Sequence, residues 1–286
     1  MHRSGTSAVT RVLSLCGAAL PQRIVPRNFG NPSGYWEPQH AVALNDEFAR
    51  AHGSSWDDPG LDLQMNPIRD EARADFVARI AEFLRNGLRA GNPAVVKDPR
   101  ITVLLPYWLS AAREEGWTVK VVHAIRRPGD VAASLRAREG MESRLALALW
   151  LKYNLVGERD ARGVRRVFLP YDQLVDDWEP VLRRCIETLE LDLAVREDVK
   201  RSIAAFIAPR LRHFSTSPQP DGTIGSALRG WVEDAHDILA AAATGVLRSA
   251  ALDAIFREYV QAGVLVGAAP GCGVISPVAK GAPHEP

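Results

Sequence analysis

Cysteine is scarce: the 286 residues hold three, Cys16, Cys185 and Cys272, far apart and with no Cys-x-x-Cys pair. That excludes a disulfide scaffold and a zinc ribbon, and it suits a reducing, cytoplasmic compartment. No His-Glu-x-x-His or similar spacing links the seven histidines, so no metal is expected. No apolar run reaches the roughly 18 residues of a membrane-crossing helix. The opening Met-His-Arg-Ser-Gly-Thr-Ser has no apolar signal core. Net charge is missing too: 35 basic residues face 34 acidic ones. A chain so balanced is not built to coat nucleic acid or an acidic membrane. Apolar residues at 47% and charged ones at 24% are ordinary globular values and exclude disorder over the whole length.

What is present alternates helix and strand signals. Helical spacing of apolar residues predicts helices over 7–18, 39–52, 69–89, 103–115, 129–139 and 143–161. Further helices are expected over 178–189, 195–207, 234–244 and 248–264. Short β-branched or apolar runs predict buried strands at 94–97, 118–125 and 164–169. Pro, Gly and Asn mark 21–38 as a loop, and 54–67 reads as irregular. Residues 267–286, rich in Gly, Pro and Ala, read as a mobile tail. Strands alternating with helices imply a parallel sheet covered on both faces. Ligands in such folds sit at the carboxyl ends of the strands, which points to the segments opening at Met1, Lys97, Arg126 and Pro170.

At the first of these, Arg3-Ser4-Gly5-Thr6-Ser7 opens a helix. A helix N-terminus presents unpaired N–H groups and partial positive charge. Gly5 permits close backbone approach, Thr6 and Ser7 bring hydroxyls, and Arg3 brings a fixed fork of donors. Together they suit a phosphate or sulfate group. The loop is not a Walker A sequence, because no lysine stands between Gly5 and Thr6. An ordinary Ser/Thr helix cap would use the same residues.

The strings MHRSGTSA, NPSGYWEP, LND, SWDD, KDPR, RRPGDVAASL and YDQL, in this order and spacing, resemble the bacterial type of sulfotransferase that uses 3′-phosphoadenosine 5′-phosphosulfate (PAPS). The resemblance runs from Met1 to about Leu191. It implies a three-layer, P-loop-like α/β fold with a central parallel sheet flanked by helices. It also implies a sulfotransferase-like domain over 1–265 and a Gly/Pro-rich tail over 266–286. The family has a strand before its phosphosulfate loop, so the first strand is expected to be missing from the chain as given, with Met1 an internal methionine.

By the same resemblance, Arg3, Ser4, Gly5, Thr6 and Ser7 bind the 5′-phosphosulfate, Arg126 and Ser134 the 3′-phosphate, and Tyr171 lies against adenine. The resemblance implies sulfuryl transfer from PAPS to a hydroxyl or amine acceptor, with release of PAP and without a metal. Lys97, at a strand end, would stabilise the leaving oxygen. Many cytosolic members place a histidine base where this chain has Pro99, so the base is sought elsewhere. Glu37 is the first candidate, Asp98 the second and His2 the third. The cytosolic branch also closes on the 3′-phosphate with a C-terminal basic loop that this chain lacks; Arg210 and Arg212 are the basic residues nearest to that role. A small-molecule, carbohydrate or lipid acceptor is expected, with no nucleic-acid partner. Two other readings share the loop: a nucleotide kinase or NTPase with a variant phosphate loop, and a nucleotide-binding module without activity.

Overall fold

The structure is a computed structural model that describes residues 1–27, 34–88, 93–207 and 225–266, with side chains in the last helix to residue 262. The expected tail beyond 266, Arg210 and Arg212 lie outside the described residues. The chain is mixed α/β and mostly helical. Helices α1 (Thr6–Leu15), α2 (Gln39–Ala51), α3 (Asp62–Met65), α4 (Asp70–Gly87) and α5 (Ile101–Glu114) come first. Strand β1 (Lys120–Ile125), helices α6 (Pro128–Glu139) and α7 (Ser143–Asp160) and strand β2 (Arg165–Pro170) follow. Helices α8 (Tyr171–Asp176), α9 (Trp178–Leu189), α10 (Glu197–Ile207), α11 (Ser226–Ala242) and α12 (Ser249–Val266) complete the order.

Among the described residues the sheet has two strands. β1 and β2 pair in parallel, with Ile125 opposite Pro170. The crossover between them is the α6–α7 pair, since parallel neighbours cannot be joined by a tight turn. Residues 94–97, expected as a third strand, do not form one. Among the described residues they make a single parallel bridge, Ala94 with Ala19, in which Ala19 N–H donates to the Pro93 carbonyl at 2.9 Å and Val95 N–H to the Ala19 carbonyl at 2.8 Å. An apolar run of four residues meets the composition of a strand, but one bridge is short of the continuous ladder that makes one.

Three apolar clusters carry the packing. α7 is enclosed on all sides, with residues 146–158 buried without a break. A helix apolar or buried all round belongs in a core, and α6, α11 and α12 wrap it. α1, β2, α8, α9 and α10 form a second cluster. α2, α4 and α5 form a third, where Phe48 stacks on Phe76 at 3.9 Å between ring centroids. The N-terminal loop lies between the first two clusters: Met1 packs with α7, and Ala8, Val9, Val12 and Leu13 of α1 pack with β2 and α9. No described helix is long and apolar enough to cross a membrane.

Candidate anion-binding site

The parallel register builds one side of the site. Ile125 and Pro170 are the last paired residues, so the residues after them, Arg126 and Tyr171, emerge side by side at the carboxyl edge. The Arg126 guanidinium lies 4.8 Å from the centroid of the Tyr171 ring. Arg126 Nη1 also donates to the carbonyl of Arg3 at 3.0 Å. Arg3 Nε in turn donates to Ser134 Oγ at 2.7 Å. Ser134 is buried on α6, the helix that β1 feeds. The loop, the two strand ends and α6 are thus joined by side chains more than a hundred residues apart in sequence.

Gly5 caps α1 with φ +82°, and no side chain caps the helix. The Ser/Thr capping that would have explained the loop without a ligand is therefore absent. The N–H groups of Thr6 and Ser7 lie ahead of the first intrahelical bonds, which begin with Ala8 N–H and Val9 N–H donating to the Gly5 carbonyl at 2.9 and 3.1 Å. A side chain at Gly5 would stand 2.0 Å from Tyr171 Cδ2, so glycine is demanded here by a neighbouring ring as well as by the backbone. Arg3 is also left-handed, at φ +61°. Ser4 Oγ, 1% exposed as a residue, and Arg126 Nε are buried without a hydrogen-bond partner in the described structure, as is His2 Nε2.

The other side of the loop meets a buried ion pair. Lys97 Nζ donates to Glu37 Oε1, to the Tyr35 carbonyl at 3.1 Å and to Ser7 Oγ at 3.3 Å. Ser7 Oγ also donates to the Tyr35 carbonyl at 3.1 Å. The side chains of Lys97 and Glu37 are 9% and 10% exposed. Glu37 is placed by a backbone bridge in which Val25 N–H donates to its carbonyl at 2.7 Å. Burial holds the Lys97 ammonium below its ordinary pKa, and Glu37 opposes that shift.

Asp98 faces away from this pair. Its Oδ1 accepts from Arg100 N–H at 3.1 Å and Arg100 Nη1 at 2.9 Å, and its Oδ2 accepts from Asn45 Nδ2 at 2.8 Å. Trp108 Nε1 donates to Asn45 Oδ1 at 3.0 Å and closes the network. With its side chain fully buried and both oxygens engaged, Asp98 fastens α5 to α2. Thr6 begins α1 and takes the Thr10 hydroxyl on its carbonyl at 2.9 Å.

Of the sequence-derived residues, the structure brings Arg3, Ser4, Gly5, Ser134, Arg126 and Tyr171 to one side of the loop and Ser7, Lys97 and Glu37 to the other. One residue escaped the sequence. Burial, then Arg138 and Arg126, lower the Arg3 guanidinium from its ordinary pKa. The Arg138 guanidinium lies 5.2 Å from the centroid of the Tyr35 ring, whose carbonyl accepts from Lys97 and Ser7, and it pairs with Glu139 at 3.0 Å. Arg138 lies four residues beyond Ser134, one helical turn on the same face; that spacing was the available signal. The Arg162, Arg165 and Arg166 stretch, which reads as a solvated face, is corrected in part. Arg162 and Arg166 both hold the fully buried Glu158, while Arg165 is a half-exposed partner of Glu190.

No protein-family model, curated protein or solved structure matches the chain. No group of described His, Cys, Asp and Glu residues could hold a metal ion.

Proposed function

We propose that the protein is a transferase moving a sulfuryl group from PAPS to an acceptor hydroxyl, on a three-layer P-loop-like fold. The observation that carries the reading is the uncapped start of α1 beside two orphaned buried donors, Ser4 Oγ and Arg126 Nε, within reach of Arg3. Buried donors without partners cost free energy, and the two anionic ends of one nucleotide would satisfy one each. PAPS supplies the sulfuryl group and a phosphate leaving group. Arg126, Ser134 and Arg138 would meet the 3′-phosphate, while the N–H groups of residues 5–7 and Ser4 would meet the 5′ end.

Lys97 is placed to neutralise charge developing on the leaving oxygen, because Ser7 and the Tyr35 carbonyl already orient it beside the loop. Glu37 is the base the geometry favours, since it lies against Lys97 while Asp98 is engaged elsewhere. When Lys97 turns to an anion, Glu37 loses its cation and becomes available to accept a proton. Tyr171, at the end of β2 beside Arg126, would lie against adenine.

Calorimetric titration of PAP and of ADP, without Mg²⁺, tests the reading. PAP is expected to bind at least tenfold more tightly than ADP, and Arg126→Ala and Ser134→Ala should each remove most of that preference. Equal affinity for the two nucleotides in the unaltered protein would refute it.

A further inference from the structure

Residues 52–61 form no regular element, yet their backbone is held from below by three buried side chains. Tyr153 Oη donates to the Trp56 carbonyl at 2.8 Å, Lys152 Nζ to the Asp58 carbonyl at 2.8 Å and Tyr259 Oη to the Pro59 carbonyl at 2.7 Å. Lys152 is 2% exposed, and burying an ammonium group is costly. Inside the loop, Ser54 Oγ donates to Asp58 Oδ2 at 2.6 Å and Gly60 N–H to Asp58 Oδ1 at 2.8 Å. A loop held this firmly by a rigid helix has its outer side chains fixed in place, as binding loops do.

Of the loop's side chains, Ser55 is exposed and Trp56 and Asp57 are half-buried, Trp56 packing against the α7 cluster. With Asp46, Arg50 and Arg100 they line an open polar cavity of about 300 Å³. Its wall adjoins the anion loop: the His2 ring, one residue before Arg3, lies 4.7 Å from the Trp56 ring. On the far wall, Arg100 joins Asp46 to Asp98, which follows Lys97 in the chain.

We propose that this cavity seats the acceptor and that the acceptor is a neutral saccharide; the acceptor role rests on the transferase reading above. Two guanidinium groups and two carboxylates balance in charge. A cation would meet Arg50 and Arg100, and an anion would meet Asp46 and Asp57. Arg100 already pairs with Asp46 and Asp98, and Arg50 lies 3.7 Å from Asp46; of the four, Asp57 is the group that an alkyl chain would cover without a donor, and a phenol would bring it a single donor. A sugar ring donates to carboxylates, accepts from guanidinium groups and lays its C–H face on an indole. Asp57, whose carboxylate meets only the Ser55 hydroxyl among the described residues, is the open acceptor for a sugar hydroxyl. In the transfer, a bond forms between the sugar oxygen and sulfur as the bond between sulfur and the 5′-phosphate oxygen breaks. The electron pair stays on that phosphate oxygen beside Lys97, and the hydroxyl proton passes to Glu37.

The test follows the Trp56 indole N–H by NMR, assigned through Trp56→Phe, while methyl glycosides of glucose, galactose and mannose are added to the full chain. Parallel titrations use 4-nitrophenol and 1-octanol, and PAP affinity is measured on every variant. At least one glycoside is expected to move the Trp56 signal with millimolar affinity. Asp57→Asn should weaken it at least tenfold and leave PAP affinity within twofold. Silence from all glycosides, or a response that Asp57→Asn leaves intact, overturns the proposal, as does preference for the phenol or the alcohol. Glycoside binding without PAP binding would overturn the transferase reading and the acceptor role, leaving a saccharide site.

Discussion

Gly5 is held at φ +82° with the Tyr171 ring against the place a side chain would occupy. Two penalties follow for Gly5→Ala: about 1–2 kcal/mol for a left-handed non-glycine residue and about 1–3 kcal/mol for overpacking. Urea unfolding should show a loss of about 2–5 kcal/mol. In the Gly5→Ala background, Tyr171→Ala should cost less than it does alone, by about 1–3 kcal/mol, because the two residues touch. Strict additivity would place the strain elsewhere. The setting of this glycine was legible: an arginine, a serine and a glycine before hydroxyl residues mark the start of a helix, which the structure shows at Thr6. That Tyr171, rather than an anion, makes alanine impossible at position 5 was not legible, since the contact joins residues on different elements.

Helix α7 is the element on which the others converge. Its fully buried Glu158 accepts from Arg162, from Arg166 of β2 at 3.2 Å and from the Ser249 hydroxyl of α12 at 2.9 Å. One carboxylate therefore joins a helix, a strand and the start of another helix. Removing one partner of such a cluster leaves buried charge uncompensated, at a cost near 3–5 kcal/mol. Glu158→Gln is expected to lose about 3 kcal/mol in urea unfolding, at the low end because both arginines reach solvent in part. Asp253→Asn, which breaks only a half-exposed contact to Arg162, should lose under about 1 kcal/mol. Comparable losses in the two variants would remove Glu158 from this role. The helix itself was plain in its apolar spacing. Helices α3 and α8 were not, because one or two turns carry too little periodicity to read. The start of α11 at Ser226 was also missed, eight residues before the expected start.

At the scale of the whole molecule, folding buries a histidine among apolar and aromatic neighbours. His123 of β1 stacks on Phe168 and is hydrogen-bonded to Asn154 at 3.1 Å. Burial pushes its pKa down from 6.5 to about 4, with Glu158 and Arg166 acting in opposite senses. The unfolded chain takes up a proton as pH falls through 6.5, while the folded chain refuses it until about 4. Stability should therefore fall as pH drops across that window and level off below it, by roughly 3 kcal/mol from this group. Urea unfolding at pH 7 and pH 4.5 should show a smaller loss in His123→Gln than in the unaltered protein. Equal losses would mean that His123 is protonated in the fold.

The sequence by itself determined the α/β class, most of the long helices, the positions of β1 and β2, and the residue types of the anion loop. These depend on neighbours within one or two turns, where apolar spacing and backbone preference act directly. Tertiary structure alone decided that 94–97 makes one bridge to Ala19 and no strand, because a strand needs a continuous ladder with a partner. It also set Asp98 against Arg100 and Asn45, put Lys97 on Glu37, and laid Arg138 over the Tyr35 ring. Such choices depend on which distant groups share a buried space, where desolvation leaves an ionised side chain few partners.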